Sequence, residues 1–341
     1  MGALATTASG TTKLETMRAA VRRRWGSPEQ VVEFADVPRP GPLADDQVLV
    51  RVRAVSINRG DYYGVSAPGL LLRPLMGGFL RPKDPAFGGD FAGVVEAARK
   101  DMTGFEPGDE VFGSRTGAFA EYVAARMVAH KPAGVSFEEA ACVAVSALTA
   151  LQALRDRGRL QPGQRVLVNG ASGSVGPFAV QIAKALGAAH VTAVCSTRNV
   201  EQARELGADL VLDYTKEDFT TRGERYDVIV DIAGTRPWRK LRQALTPAGT
   251  LVMVGSQKSG NRLIGPLGRI IRTWLAARFG KQRALFFIAK FNRPDLEVLR
   301  ELLDSGQITP VIERVYPFAQ LTEALRYMGE GHARAKLVVT M

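Results

Sequence analysis

The N-terminal third of the chain alternates apolar and polar residues with the period of a β-strand. Within residues 47–54, Val48, Val50, Val52 and Ala54 fall on one side of such a strand. A period of two predicts a half-exposed antiparallel strand. Further runs of this kind, separated by turns rich in Pro and Gly, predict a mostly β unit that extends to about residue 133.

The pattern changes at Ser136, where a helix is predicted to begin. Ser136 and Glu139 have the spacing of a capping box. Beyond this point, continuous apolar runs alternate with segments of helical period, which predicts β-α-β units and a parallel sheet with helices on both faces. The runs that predict buried strands are residues 165–168, 191–194, 210–212, 227–231 and 250–255.

The length of the chain, 341 residues, favours two domains. Residues 1–16 are rich in Ala, Ser, Thr and Gly and are predicted to form a disordered tail. Residues 17–135 together with 292–341 are assigned to the mostly β domain, because the last strand is expected to return to it. Residues 136–291 are assigned to the α/β domain.

Composition and charge narrow the classes of function. Hydrophobic residues make up 46% of the chain and charged residues 23%, the net charge is +11, and there are two cysteines. These values are typical of a globular protein without a disulfide framework, and we expect a cytoplasmic location. The positive charge favours an anionic ligand. Aromatic and basic residues do not interleave as in a nucleic-acid stacking platform, so no specific nucleic-acid partner is expected.

A glycine-rich motif, Asn169-Gly-Ala-Ser-Gly-Ser-Val-Gly, follows the first predicted parallel strand and opens a helix. Small residues there let the backbone approach a pyrophosphate, and the helix N-terminus offers free N–H groups to it. The motif therefore predicts a dinucleotide site. Its candidate binding residues are Gly170, Ala171, Ser172, Gly173, Ser174, Val175 and Gly176.

The end of the second parallel strand predicts which dinucleotide binds. An NAD site usually carries an acidic residue about 20 residues after the glycine motif. Here Ser196 holds that place, in the run Cys195-Ser-Thr-Arg-Asn, which contains no acid. Hydroxyls and a guanidinium suit a 2′-phosphate, so NADPH is the predicted cofactor. The candidates at this end are Ser196, Thr197, Arg198, Asn199 and Tyr214.

The ends of the fourth and fifth parallel strands are expected to line the nicotinamide half of the site, because ligands bind at the carboxyl ends of parallel strands. The candidates there are Ala233, Gly234, Val254, Gly255 and Ser256.

The order of these units resembles the medium-chain dehydrogenase/reductase superfamily, and within it the zinc-free quinone oxidoreductase branch. The resemblance covers roughly residues 17–340. The motifs that carry it are Ser56-Ile-Asn-Arg-Gly-Asp, Gly88-Gly-Asp-Phe-Ala-Gly-Val-Val, Pro107-Gly-Asp-Glu-Val-Phe-Gly, Gly117-Ala-Phe-Ala-Glu-Tyr, Ala147-Leu-Thr-Ala, Gly170-Ala-Ser-Gly-Ser-Val-Gly and Leu206-Gly-Ala-Asp.

The resemblance implies a GroES-like catalytic domain, a Rossmann-like cofactor domain and an active cleft between them. It implies that Asn58 lies near the nicotinamide and the substrate, that Thr149 approaches the cofactor, and that the protein is a homodimer. The zinc-dependent members hold their metal with Cys, His and Glu. The matching region here is Gly88-Gly-Asp, so no metal ligand is predicted.

These observations predict an NADPH-dependent, zinc-independent enzyme that transfers a hydride to a quinone or another conjugated carbonyl, such as an enone or an alkenal. Asn58 could donate a hydrogen bond to the developing enolate, and Tyr62 and Tyr63 could donate a proton or stack on a flat substrate. Phe287 is a candidate wall of the cleft, and Lys336 is a further cofactor-binding candidate. An enoyl-thioester reductase and a non-catalytic NADPH-binding interaction protein remain the alternatives.

The segment 259–287 combines arginines with large apolar residues. A helix that covers the cleft or forms a dimer contact is the favoured interpretation. A basic amphipathic helix on a membrane surface is the less favoured one.

Overall fold

The computed structural model describes residues 15–67, 73, 78–255, 267–278, 280–331 and 333–341. Most of the predicted tail, the cofactor candidate Ser256 and part of the basic insertion lie outside the described residues. The first described strand begins at Thr16.

The N-terminal part of the chain and its last two strands form two sheets. The strands are β1 (Thr16–Arg22), β2 (Val32–Pro38), β3 (Val48–Ile57), β4 (Asp90–Ala98), β5 (Glu110–Ser114), β6 (Tyr122–Ala125), β7 (Val128–His130), β14 (Ile312–Pro317) and β15 (Lys336–Thr340). An antiparallel two-stranded sheet joins β1 to β2, and a larger mixed sheet has the order β14-β15-β3-β4-β5-β7, with β6 also paired to β3.

Strand β3 follows the alternation that its sequence predicts. Val48, Val50 and Ala54 are fully buried, whereas Arg51 and Arg53 are exposed. Toward its end β3 becomes buried on both faces, because Ala54 enters one hydrophobic cluster and Val55 and Ile57 enter another. The C-terminal strand β15 lies inside the sheet, between β14 and β3.

The second part forms a parallel six-stranded sheet with the order β10-β9-β8-β11-β12-β13. Every pairing in it is parallel. The strands are β8 (Arg165–Asn169), β9 (His190–Cys195), β10 (Leu210–Asp213), β11 (Tyr226–Asp231), β12 (Leu245–Met253) and β13 (Arg283–Phe286).

Successive residues of each parallel strand enter different hydrophobic clusters on the two faces of the sheet. In β8, Val166 and Val168 belong to the cluster under α4 (Ala144–Leu151) and α5 (Gly176–Ala185), and Leu167 belongs to the cluster on the opposite face. Burial on both faces explains why these strands are continuous apolar runs. The predicted mostly β unit and doubly wound parallel sheet are thus confirmed.

The remaining helices connect or cover the sheets. They are α1 (Pro28–Val31), α2 (Arg59–Ser66), α3 (Phe137–Ala140), α6 (Val200–Glu205), α7 (Trp238–Leu241), α8 (Leu267–Ala277), α9 (Arg293–Asp304) and α10 (Leu321–Glu330). The predicted capping box is present at α3, where the Ser136 side chain accepts from the Glu139 N–H and the Glu139 side chain accepts from the Ser136 N–H. We propose the two sheets as the cores of two domains, with the boundaries that the sequence predicts.

Helix α8 is the described part of the basic insertion. It buries Ile270, Thr273 and Ala277, and its Arg269 bonds to Asp231 at the end of β11. Its residues do not line the cofactor cleft within the described part of the chain. The helix therefore packs beside the parallel sheet rather than over the cleft.

Candidate active site and cofactor cleft

A cleft of about 560 Å³ lies where the carboxyl ends of the parallel strands face α2 and α10. Residues that end or directly follow β8, β9, β10, β11 and β12 line one side. The other side is formed by Arg59, Gly60 and Tyr63 of α2 and by Met328, Gly331 and Ala333 at the end of α10. Its position is the one that doubly wound folds use for ligands.

The glycine motif shapes the floor of the cleft. Gly170 has a φ of +96°, a conformation that glycine adopts without strain. A Cβ on Gly176 would stand 2.3 Å from the carbonyl oxygen of Gly170, so only glycine fits there. A Cβ on Gly173 would meet its nearest atom at 3.8 Å, and Gly173 lines the cleft. The loop therefore leaves room for a pyrophosphate directly over Gly173.

The glycine motif is also bound to the C-terminal strand. The Ala335 N–H donates to the Ser172 carbonyl oxygen at 2.8 Å, and the Ser174 hydroxyl donates to the Ala335 carbonyl oxygen at 3.2 Å. These bonds connect the glycine-rich loop of the parallel sheet to the residue that directly precedes β15 of the mixed sheet. Of the seven candidates in the motif, the cleft lining includes Gly170, Ser172, Gly173, Ser174 and Val175, while Ala171 and Gly176 are packed beneath it.

The residues after β9 form the predicted adenosine end. Ser196, Arg198, Asn199 and Tyr214 line the cleft. Thr197 does not, because its hydroxyl donates to the Asp213 carboxylate at 2.5 Å. This bond is the largest cause of the lowered pKa of Asp213, which falls to about 2. The acid at the end of β10 thus uses the Thr197 hydroxyl that we predicted for a 2′-phosphate.

The ends of β11 and β12 are arranged around a buried carboxylate. Asp231 is fully buried and accepts hydrogen bonds from the Asn169 side chain at 2.7 Å and from the Gly234 N–H at 3.0 Å. Ala233, Val254 and Gly255 line the cleft, whereas Gly234 turns the chain behind it. The Val254 N–H also donates to the Asp231 carbonyl oxygen at 3.0 Å, so Asp231 connects the ends of β8, β11 and β12.

The charged side chains that line the cleft, among the residues described, are all arginines: Arg59, Arg198 and Arg236. Of these three, only Arg198 was predicted from the sequence. Arg59 lies directly after Asn58 in the motif Ser56-Ile-Asn-Arg-Gly-Asp, so that motif carried the signal for it. Arg236 follows the end of β11 and also bonds to Asp218 at 3.3 Å. A lining of this kind favours a ligand that carries several negative charges.

A buried polar cluster lies at the base of α2. The Asn58 amide nitrogen donates to the Asp90 carboxylate at 3.0 Å, and the Asn58 side-chain oxygen accepts from the Lys336 ammonium at 2.8 Å and from the Ser146 hydroxyl at 3.3 Å. Lys336 also lies 3.3 Å from Asp90, and both side chains are almost completely buried. Neither Asn58 nor Lys336 lines the cleft; they support the helix that does.

Burial raises the pKa of two carboxyl groups, one in this cluster and one beside it. It raises the pKa of Asp90, and Lys336 and Asn58 oppose that rise by stabilising the carboxylate. Burial also raises the pKa of Asp61 to about 7, and the nearby charge of Asp90 adds to the effect. Asp61 accepts a hydrogen bond from the Asn58 N–H at 2.7 Å as part of the N-terminal capping box of α2.

The remaining candidates occupy different environments. Tyr63 lines the cleft, with the Arg59 guanidinium 6.0 Å from the centroid of its ring. Tyr62 packs against Gly329 of α10, where an added Cβ would stand 2.3 Å from the tyrosine ring. Thr149 donates within its own helix to the Val145 carbonyl oxygen at 2.7 Å. Phe287 is buried in the core cluster, 8% exposed, and does not line the cleft.

The described residues do not offer a zinc site. They contain no group of three or more His, Cys, Asp and Glu side chains that could hold a metal ion. The thiol nearest the polar cluster, Cys142, is buried, and its burial raises its pKa to about 12. Zinc binds thiolates and other deprotonated ligands, usually three or four together. We therefore derive no step of a reaction through a metal.

Two family models match the chain. Residues 44–152 match the alcohol dehydrogenase GroES-like domain, and residues 206–339 match a zinc-binding dehydrogenase. The fold thus combines a GroES-like unit with a Rossmann-like parallel sheet. The fold and the cleft together define the class of protein: a dehydrogenase or reductase built from two units.

Similar proteins specify the family further. The mitochondrial NAD(P)H oxidoreductase RTN4IP1 of Mus musculus is 34% identical over 87% of this chain and 82% of its own length. The chloroplastic quinone-oxidoreductase QR1 of Triphysaria versicolor is 31% identical over 95% of this chain and 98% of its own length. The structure of the quinone oxidoreductase from Coxiella burnetii superposes with a TM-score of 0.81 and 27% identity, over 96% of this chain and all of that one.

The chain belongs to the medium-chain dehydrogenase/reductase superfamily, in its quinone oxidoreductase branch. Among the helices of the described ranges, none is long and apolar enough to cross a membrane.

Proposed function

We propose that the protein is an NADPH-dependent, zinc-independent oxidoreductase that transfers a hydride to a quinone or to another conjugated carbonyl compound. The observation that carries the proposal is the arginine-lined cleft at the carboxyl ends of the parallel strands, with Ser196 and Arg198 at the end of the second strand and no acid among the described lining residues. The names of relatives agree with this chemistry, since they include NAD(P)H and quinone oxidoreductases and a 2-methylene-furan-3-one reductase of Solanum lycopersicum, 30% identical over 87% of this chain.

The charge and the hydroxyl groups at the adenosine end of the cleft support a preference for NADPH over NADH. A 2′-phosphate needs cationic and hydroxyl partners, whereas an acidic lining would repel it. Arg198, the Ser196 hydroxyl and the Tyr214 hydroxyl supply such partners. Asp213 lies behind this surface, 7% exposed, with its oxygens bonded to Thr197 and Thr215. The acid therefore does not face the phosphate position.

The protein's contribution to the reaction is binding and orientation. The cofactor, when bound, supplies the hydride. The loop around Gly173 would hold the pyrophosphate near the N-terminus of α5, and the ends of β11 and β12 would hold the nicotinamide half. Tyr63, on the opposite wall, stacks on a flat acceptor or donates a proton to the oxygen that gains charge.

Asn58 is held rather than free. One hydrogen of its amide group bonds to Asp90 and its oxygen accepts from Lys336 and Ser146. Because Asn58 does not line the cleft, it does not act as the enolate donor that the sequence suggested. Its contribution is to support the start of α2, the helix that carries Tyr63.

The proposal is tested by the oxidation of NADPH, followed at 340 nm, by the purified protein after treatment with a chelator. The acceptors are 1,4-benzoquinone, 9,10-phenanthrenequinone, an enone and an alkenal, and NADH is compared with NADPH. Turnover that resists the chelator and prefers NADPH supports the metal-free reaction and the cofactor preference. Turnover that requires added zinc contradicts the metal-free mechanism, and NADPH binding without turnover supports an interaction protein instead.

The same panel separates the enoyl-thioester alternative when a crotonyl thioester is added to it. Preferential reduction of that compound would replace the quinone assignment. The homodimer and the cytoplasmic location remain predictions, and the relatives named above are described as mitochondrial and chloroplastic.

A further inference from the structure

A second pocket lies between the end of β1 and the chain that precedes β4. It has a volume of about 450 Å³ and opens to the surface. Four of the residues that line it carry positive charge, and none of the described lining residues carries negative charge: the lining consists of Arg22, Arg23, Arg81, Pro82, Lys83 and Pro85. Two segments distant in sequence, the end of β1 and the chain before β4, meet here through the hydrogen bond from the Arg22 N–H to the Pro85 carbonyl oxygen at 2.9 Å.

Arg22 is held rigidly at the base of this pocket. It is 7% exposed, and its guanidinium lies 5.0 Å from the centroid of the Trp25 ring and 5.7 Å from that of Phe87. One terminal nitrogen donates to the Asp84 carbonyl oxygen at 3.4 Å. The Nε atom is buried without a hydrogen-bond partner among the described residues. An unpaired buried donor is unusual in a folded protein.

The neighbouring carboxylates do not neutralise the pocket. Glu33 lies 3.6 Å from Arg23 on the exposed side, and the Asp84 carboxylate accepts from the Ala86 N–H at 2.9 Å. For the part of the chain that the structure describes, Arg81 and Lys83 form no ion pair. Burial lowers the pKa of Arg22, and the charges of Asp84 and Asp61 only partly offset this. Arg81 and Lys83 are therefore two cations of the pocket that have no ion-pair partner among the described residues.

We propose that this pocket binds the phosphate group of a ligand other than the dinucleotide. A planar guanidinium fork matches two phosphate oxygens, and the flanking Arg23, Arg81 and Lys83 suit a group with more than one negative charge. Phe79 and Leu80, which directly precede Arg81, are 48% and 84% exposed. They offer apolar contact beside the charge, so the ligand class is a phosphate that carries an apolar portion.

The pocket lies close to the candidate active site. The proposal of a phosphate ligand does not depend on the proposed enzymatic activity. The Arg22 Nη2 atom lies 3.9 Å from the place of a Cβ on Gly64. The preceding residue, Tyr63, lines the cofactor cleft. Gly64 and Tyr63 are adjacent in α2, so a ligand bound at Arg22 would lie near the helix that carries Tyr63.

The test is a calorimetric titration of the full-length protein with hexyl phosphate at constant salt. The titration is done with excess NADPH and without it, so that binding in the cofactor cleft is distinguished from binding in this pocket. The double variant Arg81→Ala/Lys83→Ala removes two exposed cations of the pocket. The matched control is Arg239→Ala/Lys281→Ala, which removes two exposed cations elsewhere. We expect the dissociation constant to rise about tenfold or more for the pocket variant, since charged hydrogen bonds to phosphate are strong, and to change less than about twofold for the control.

A second arm separates a soluble ligand from a lipid headgroup. The protein is sedimented with vesicles of phosphatidylcholine, with and without phosphatidic acid. Binding of hexyl phosphate alone identifies a soluble phosphorylated ligand, whereas binding of both hexyl phosphate and acidic vesicles, with the same dependence on Arg81 and Lys83, identifies a headgroup. Equal losses in the pocket variant and the control, or no binding of either probe, would overturn the proposal.

Discussion

The Lys336 ammonium donates a hydrogen bond to the side-chain oxygen of Asn58 at 2.8 Å, although the two residues are 278 positions apart in the chain. The antiparallel register of β15 and β3, which pairs Leu337 with Ile57, brings them together. Lys336 thus connects the last strand to the first residue before α2, the helix that carries Tyr63. Folding of the C-terminus is therefore a condition for the geometry of the cleft.

Replacing Lys336 with Met should destabilise the protein strongly. The substitution leaves the Asp90 carboxyl and the Asn58 oxygen buried without their cationic partner, and removal of one partner of a buried ion pair typically costs about 3–5 kcal/mol. Urea denaturation measures the free energy of unfolding. The double variant Lys336→Met/Asp90→Asn should lose less than the sum of the two single variants, because the residues interact directly. Additive losses would show that the pair is not coupled.

Two glycines of the phosphate loop should respond differently to Ala. At Gly176 the new Cβ would lie 2.3 Å from the Gly170 oxygen, so Gly176→Ala should lower the thermal midpoint and abolish cofactor binding together. At Gly173 the nearest described atom is 3.8 Å away, so Gly173→Ala should leave the midpoint nearly unchanged and weaken only cofactor binding. Thermal unfolding and fluorescence titration with NADPH distinguish the two effects. Normal NADPH binding by Gly173→Ala would place the pyrophosphate elsewhere.

Replacing Arg198 with Gln should reduce the preference for NADPH over NADH. A hydrogen bond to a charged group contributes about 1.5–3 kcal/mol, which corresponds to a rise of about 10- to 100-fold in the KM for NADPH. The KM for NADH should stay nearly constant, because NADH lacks the 2′-phosphate. Arg204→Gln, an exposed substitution on α6, is the control. Equal changes for both cofactors would argue that Arg198 does not contact the 2′-phosphate.

The raised pKa of Asp61 should make stability depend on pH. The carboxyl has a pKa of about 7 in the folded protein and about 3.9 in an unfolded chain. Between these values the folded state holds the proton more tightly, so this group's stabilising contribution is complete below about pH 4 and is lost as the pH rises through 7. The slope is at most about 1.4 kcal/mol per pH unit.

Asp61→Asn should remove this slope, because the amide oxygen can still accept from the Asn58 N–H but cannot titrate. Asp101→Asn, which changes an exposed acid, is the control. The measurement is the urea midpoint at pH values from 4 to 8. If the pH dependence of stability persists unchanged in Asp61→Asn, another titrating group causes it.

The order of elements followed from local patterns in the sequence. Alternation in β3, the capping box at Ser136 and the apolar runs of the parallel strands each depend on neighbours within a few residues, so local physics is sufficient to predict them. The glycine motif belongs to the same class, because its chemistry needs a strand, a turn and a helix in direct succession.

The sequence by itself therefore determined the family, the two kinds of sheet and the loop that approaches a pyrophosphate. Only the tertiary structure decided which polar side chains face the cleft. It turned Thr197 toward Asp213, buried Phe287, enclosed Asn58 among Asp90, Ser146 and Lys336, and placed Arg59 and Arg236 in the lining. Those outcomes depend on strand register and on the packing of segments far apart in the chain, which a local pattern does not encode.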